Sequence, residues 1–192
     1  DWQPLPAANA VAYVTDALTA PVTIVGPGSV DLWLESSAAD TDIQVTLSEV
    51  RPDDQEFYVQ SGWLARSHRA IDKKNSTKLD PRPTHLEADA EPLPAGEFSL
   101  LRVKLFPAAH IFRAGSKIRI SIEAPGGDRT RWAFATPLTG GTVTNQVSHT
   151  AAAASKIVLP VVPNPSPPAE LPPCPSLRGQ PCRAYAPAGN GG

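Results

Sequence analysis

Apolar and polar positions alternate with a period of two along nine segments of the chain: 11–15, 22–25, 29–37, 42–50, 57–60, 63–69, 99–106, 117–123 and 157–162. The clearest apolar phases are Val30, Leu32 and Leu34; Ile43, Val45 and Leu47; Leu101, Val103 and Leu105; and Ile118, Ile120 and Ile122. No segment of helical period competes with them. Successive side chains on a strand point to opposite faces, so each segment buries one face and wets the other. The expected architecture is an all-β, antiparallel sandwich of two packed sheets. Long excursions between short strands suit a jelly roll of the galactose-binding-domain type better than a meander.

Punctuation residues divide the segments. Gly26-Pro27-Gly28 reads as a turn, Arg51-Pro52-Asp53-Asp54 as a type I turn, and Ser61-Gly62 as a break between two strands. The stretch 72–96 is polar and carries Pro81, Pro83, Pro92 and Pro94, which marks an excursion rather than a strand. From Pro160 onward prolines crowd together, which places a folded domain at 1–162 and an extended or disordered Pro-rich tail at 163–192. Both cysteines, Cys174 and Cys182, fall in that tail. They are expected to form a small disulfide loop in an oxidising compartment, secreted or at the cell envelope, with two unpaired thiols as the alternative.

Composition narrows the partners. A length of 192 residues allows one large β domain. A formal net charge of −2 argues against nucleic acid or an anionic membrane as the main partner. No apolar run approaches the roughly 20 residues of a membrane helix, and the start lacks the basic-then-apolar pattern of a secretory leader. The chain contains no Met and opens Asp1-Trp2-Gln3-Pro4, so it reads as part of a longer product.

Catalytic signals are sparse. The Gly-x-Ser-x-Gly nucleophile elbow does not occur, and Gly26-Pro27-Gly28-Ser29-Val30 has the wrong order for it. Four histidines are present, but His68 lies beside Arg66 and Arg69, a poor setting for a proton acceptor, and no complete Ser–His–Asp triad is expected. There is no phosphate loop, zinc-protease motif or dinucleotide fingerprint, so no cofactor is expected. Asp40 and Asp42, with Asp53 and Asp54 beyond, offer carboxylates for Ca²⁺, against which stands the ordinary use of Asp as a turn former. Trp2, Trp33, Trp63 and Trp132 suit either a sugar-stacking platform or gap-filling in the core.

Several runs, in this order and spacing, resemble the C-terminal domain of the cocaine esterase-like and X-prolyl dipeptidyl aminopeptidase (CocE/NonD) hydrolases. They are VAYVTDAL at 11–18, VGPGSVDLWL at 25–34, SSAADTDIQVTLSEV at 36–50, GWLARSHR at 62–69, LFPAAHIFRAGSKIRI at 105–120 and SKIVLPV at 155–161. The resemblance implies a jelly roll that follows an α/β-hydrolase domain of the same parent protein, packs on it and walls its substrate cleft. The family's catalytic serine, aspartate and histidine belong to that other domain, so no catalytic residue carries over. Trp63, Arg66 and Arg69 are the expected contacts at the interface or cleft, the alternative for the arginines being solvated strand positions. Ser116 stands where the family often has His, and 126–147 and the tail diverge from the pattern. Two further functions remain open: a carbohydrate-binding module on the same frame, and a structural surface module with the tail as spacer.

Overall fold

The computed structural model describes residues 2–4, 6, 9–129, 133–135, 140–166, 168, 170–175 and 179–187, so Trp132 lies outside the described residues. The strands are β1 (Ala10–Val14), β2 (Val22–Ser36), β3 (Asp42–Val50), β4 (Gln55–Ala65), β5 (Ser99–Phe112), β6 (Lys117–Glu123), β7 (Asn145–Val147), β8 (Lys156–Val158) and β9 (Cys182–Ala184). They build a five-stranded sheet in the order β1-β6-β3-β4-β9 and a four-stranded sheet in which β2 pairs β5 on one side and both β7 and β8 on the other. All pairings are antiparallel. The expected all-β sandwich of jelly-roll type is thus the observed architecture. Its core is the apolar phase of the period-two pattern: Val30, Leu32 and Leu34 from β2 face Ile43, Val45 and Leu47 from β3, with Leu101, Val103 and Leu105 from β5 beside them.

Several boundaries differ from those read in the sequence, each for a physical reason. Gly26-Pro27-Gly28 is not a turn. The fifteen residues of β2 run through it, and β5 follows on to Phe112 with a register shift between Gly26 and Gly28. A bulge absorbs Pro27, which has no N–H for the ladder, while Gly26 takes a φ of 125° that suits glycine. Ser61 and Gly62 lie inside β4 rather than between two strands. The strand expected over 63–69 ends at Ala65, where Arg66–His68 turn into a 3-10 helix.

Gly62 sets how one edge of the sandwich closes. A Cβ there would lie 1.9 Å from the Lys104 carbonyl oxygen of β5, so only glycine lets the backbones of the two sheets meet at this point. Gly62→Ala is therefore expected to cost on the order of 3 kcal/mol or more, because backbone rather than a side-chain tip must move. Denaturant unfolding measures it, and a midpoint within 0.5 M of the parent's would contradict the close approach.

Part of the Pro-rich stretch is built into the fold. Val162 N–H donates to the Thr23 carbonyl at 2.8 Å, and Arg51 Nη1 reaches the Pro172 carbonyl at 2.8 Å. Cys182–Ala184 then pairs with β4 as the edge strand β9. Cys174 and Cys182 form a disulfide with their Cα atoms 5.6 Å apart, and both pack against the core. Arg183 donates through Nε to Glu56 Oε2 at 2.8 Å, beside the Arg119 Nη1 to Glu56 Oε1 bond at 2.8 Å. Proline spacing could not show this, because pairing over three residues leaves no periodic signal. Replacing both cysteines by serine frees a short loop and is expected to lower unfolding free energy by about 2.5 kcal/mol. Hydrogen exchange at β9 should rise with it. An unchanged midpoint would mean that β9 is not part of the cooperative unit.

Candidate interaction site

The polar phase of β3, expected to meet water, is buried: Gln44, Thr46 and Ser48 are all fully enclosed on the outer face of the five-stranded sheet. Around them lie Ser61 and Glu56 of β4 and Arg119, Ser121 and Glu123 of β6, each also buried. Trp2, Asp128 and Arg183 cover this face. The Trp2 indole N–H donates to Asp128 Oδ2 at 3.0 Å, and the Arg183 guanidinium lies 3.7 Å over the Trp2 ring. Trp2 also meets Tyr58 edge-on, with centroids 5.7 Å apart. Buried polar groups need partners, and here most find one another, Arg119 Nε being left without one among the described residues.

Gln44 is the hub. Its Nε2 donates to Glu123 Oε1 at 2.7 Å and to Asp128 Oδ1 at 3.1 Å, and Thr46 Oγ1 donates to the same Glu123 oxygen at 3.0 Å. Its Oε1 accepts from the Gly126 amide at 3.3 Å and from the Trp63 indole at 2.8 Å. Two carboxyls, Glu123 and Asp128, thus share one amide group. Burial, and after it the Asp128 charge, pushes the Glu123 carboxyl from 4.5 up to about 7.

Through Trp63 the network reaches the surface. The Trp63 ring packs 5.7 Å from Phe106 of β5 and 6.1 Å from Phe134, centroid to centroid. Phe106 is 50% exposed and Phe134 41% exposed. Three large aromatic side chains therefore form one contiguous patch where β4 and β5 meet. The sequence reading singled out Trp63 but missed Phe106, an apolar residue on the outward phase of β5, and Phe134, which stands in a stretch without periodicity.

The other candidates lie elsewhere. Arg66 is fully buried within the chain: its Nη1 donates to the Ala38 carbonyl at 3.1 Å, and burial pulls its guanidinium below the usual arginine value while Asp40 pulls the other way. It holds the Ala38 loop in place. Arg69 pairs with Glu91, Nη2 to Oε2 at 3.0 Å, and so anchors the excursion after β4. Asp40 acts as a turn former, its Oδ1 accepting the amides of Thr41 and Ser67 at 2.9 Å and its Oδ2 the Ser67 hydroxyl at 2.8 Å. Burial, and then the Asp40 charge, raises the Asp42 carboxyl. Asp53 is bound to Arg51 at 2.7 Å. No group of three or more His, Cys, Asp or Glu residues suited to a metal occurs among the described residues. His110 meets Glu49 at 2.8 Å, His149 meets Tyr13 at 2.9 Å, and His68 lies against His85.

The fold is an all-β sandwich with a buried polar face and an exposed aromatic group at β4 and β5. Comparison with known proteins places it more closely. Residues 4–158 match the family described as the X-Pro dipeptidyl-peptidase C-terminal non-catalytic domain, and the chain belongs to that family. It is 31% identical over 157 residues to a protein of Mycobacterium bovis named as a serine esterase, which covers 81% of this chain and 24% of the relative. It is 27% identical over 116 residues to the cocaine esterase of a Rhodococcus strain, covering 60% of this chain and 18% of that protein. In fold it is similar to a CocE/NonD family hydrolase from Staphylococcus aureus, with a TM-score of 0.67, 19% identity and coverage of 80% of this chain and 30% of the other. An α-amino acid ester hydrolase gives a TM-score of 0.60 at 23% identity, covering 80% of this chain and 26% of that one. The chain thus spans about a quarter of the length of the M. bovis relative.

The raised Glu123 value gives stability a pH dependence with a definite sign. The folded state holds this proton more tightly than the unfolded state, so stability falls as pH rises from about 4.5 to about 7 and levels off above. Glu123→Gln keeps an acceptor for Gln44 and Thr46 and removes the titration. The variant is expected to match the parent near pH 4.5 and to exceed it by up to about 3 kcal/mol at pH 8. Parallel pH curves for the two proteins, from urea unfolding, would refute this assignment.

Proposed function

We propose that this chain is the accessory domain of a serine hydrolase acting on ester or X-Pro amide bonds, seated on an α/β-hydrolase domain of the same parent and forming one wall of its substrate cleft. The observation that carries the reading is the patch of Trp63, Phe106 and Phe134: large aromatic groups gathered on one surface mark an interface more often than free surface. The non-catalytic description of the family and the serine esterase relatives support it. Arg66 contributes by fixing the Ala38 loop, and Arg69 by holding the excursion that leaves β4. The disulfide supports a secreted or envelope location. Among the described residues no helix is long and apolar enough to cross a membrane.

The carbohydrate-binding alternative calls for flat rings turned outward. Here Trp63 and Phe134 stack on each other at 29°, and the Trp63 indole N–H is held by Gln44, which leaves less ring face for a sugar.

Phe106→Asp tests the docking reading, because the side chain is half exposed and contributes little to this domain's own core. Unfolding free energy of the domain should stay within about 0.5 kcal/mol of the parent's. In the full-length hydrolase the same change should lower kcat/KM about tenfold and bring down its melting temperature, the size expected for a central interface aromatic. Unaltered activity and melting temperature of the full-length variant would remove the patch from the interface.

A further inference from the structure

The sandwich closes at β4 and β5 but not at its opposite edge. There, between β1 and β6 of one sheet and β2 and β8 of the other, lies a slot of about 320 Å³. Its walls are Val30 and Leu32 from β2, Ile118, Ile120 and Ile122 from β6, and Ile157 from β8. These six are branched aliphatic side chains, joined by Val14 and by Thr15, whose hydroxyl is already given to the Asp16 carbonyl at 2.8 Å. Of the polar lining groups, Tyr13, His149 and Lys156 are exposed and Ser155 is half-buried. Tyr13 Oη and His149 Nε2 stand 2.9 Å apart and bar part of the mouth. Lys156 Nζ lies 3.4 Å from Asp31 Oδ2 on a side chain that is 63% exposed, a loose pair that swings free at little cost.

We propose that this slot takes the alkyl chain of a fatty carboxylate, with the head group held by Lys156, His149 and Tyr13. A saturated chain asks for no hydrogen bond along its length, and the walls offer none. A sugar or peptide would leave its polar groups unpaired there. The cavity lies between two sheets with aliphatic walls, and its volume of about 320 Å³ stands at the small end of ligand sites, room for one alkyl chain. A cation and two hydrogen-bonding groups at a single mouth suit one anionic head. None of this depends on the docking role of Trp63 and Phe106, which lie on β4 and β5 at the other edge.

Calorimetric titration of the full-length protein that carries this chain, with hexanoate, octanoate, decanoate and dodecanoate below their micellar concentrations, tests the site. Affinity is expected to rise about fourfold per methylene, the effect of burying each CH₂, until the slot is full and then to level off. Val14→Trp, on the exposed rim of β1, should weaken decanoate binding at least tenfold without shifting the melting temperature. Lys156→Gln, at a largely exposed side chain, should weaken decanoate severalfold and leave decanol unaffected. The proposal is overturned by absence of binding across the series, by affinity independent of chain length, or by decanoate binding that both variants leave intact.

Discussion

With Ile43, Val45 and Leu47 in the apolar core and Gln44, Thr46 and Ser48 enclosed on the opposite face, β3 leaves no side of itself to water. Each polar group on it then needs an internal partner, since an unpaired buried one costs about 1–3 kcal/mol. That requirement reaches well beyond the strand. It brings Glu123 and Thr46 together across β6 and β3, seats Asp128 on Gln44, and ties Trp2 to Asp128 over a sequence separation of 126 residues. Glu56, fully buried, is likewise matched by Arg119 and Arg183, so the edge strand β9 is called in by charge as much as by ladder bonds. The covering segments are held by what the sheet would otherwise leave unpaired.

The sandwich is asymmetric for a related reason. Gly62 lets the β4 and β5 backbones touch, and the excursion that joins the two strands folds back over the four-stranded sheet, with Ser29 Oγ donating to the Lys78 carbonyl at 2.6 Å and Lys104 pairing with Asp80 at 2.6 Å. At the other edge, among the described residues, β2 is met by the short strands β7 and β8, three residues each, and by an isolated bridge of Ile24 to Val161, which do not cover the full width of β1 and β6. A closed edge with aromatic rings outside and an open edge with aliphatic walls inside follow from where one glycine and two short strands fall.

The period-two pattern was enough to fix the fold class and the core, because each apolar phase is long and uninterrupted. It failed where a local rule was overridden. Gly26-Pro27-Gly28 has turn chemistry, but continuous pairing of β2 with β5 outweighs it and turns the site into a bulge. The polar phase of β3 looked solvent-facing since alternation does not say what lies above a sheet. A signal was present in the residue types: Gln44, Thr46 and Ser48 are short and uncharged, whereas an open strand face carries Lys and Glu. Trp63 was legible as an edge aromatic. Its partners Phe106 and Phe134 were not, as their meeting depends on how β4 crosses β5. GWLARSHR reads as strand throughout, but the 3-10 turn at Arg66–His68 ends it and sends the Arg66 side chain inward to Ala38.

Trp63 joins the two halves of this picture. Its indole N–H is committed to the Gln44 oxygen while its ring stands in the exposed aromatic group, so the buried network and the outer patch share one side chain. Anything that packs on Phe106 and Phe134 presses on a tryptophan already fixed in position by a hydrogen bond to a buried amide. Such a ring has little rotamer freedom left to lose on docking, and the cost of ordering an interface side chain, about 0.5–1.5 kcal/mol, is met during folding instead. The buried polar face is therefore more than a defect to be covered. By holding Gln44 between Glu123, Asp128 and Trp63, it sets the surface aromatic in place before any partner arrives.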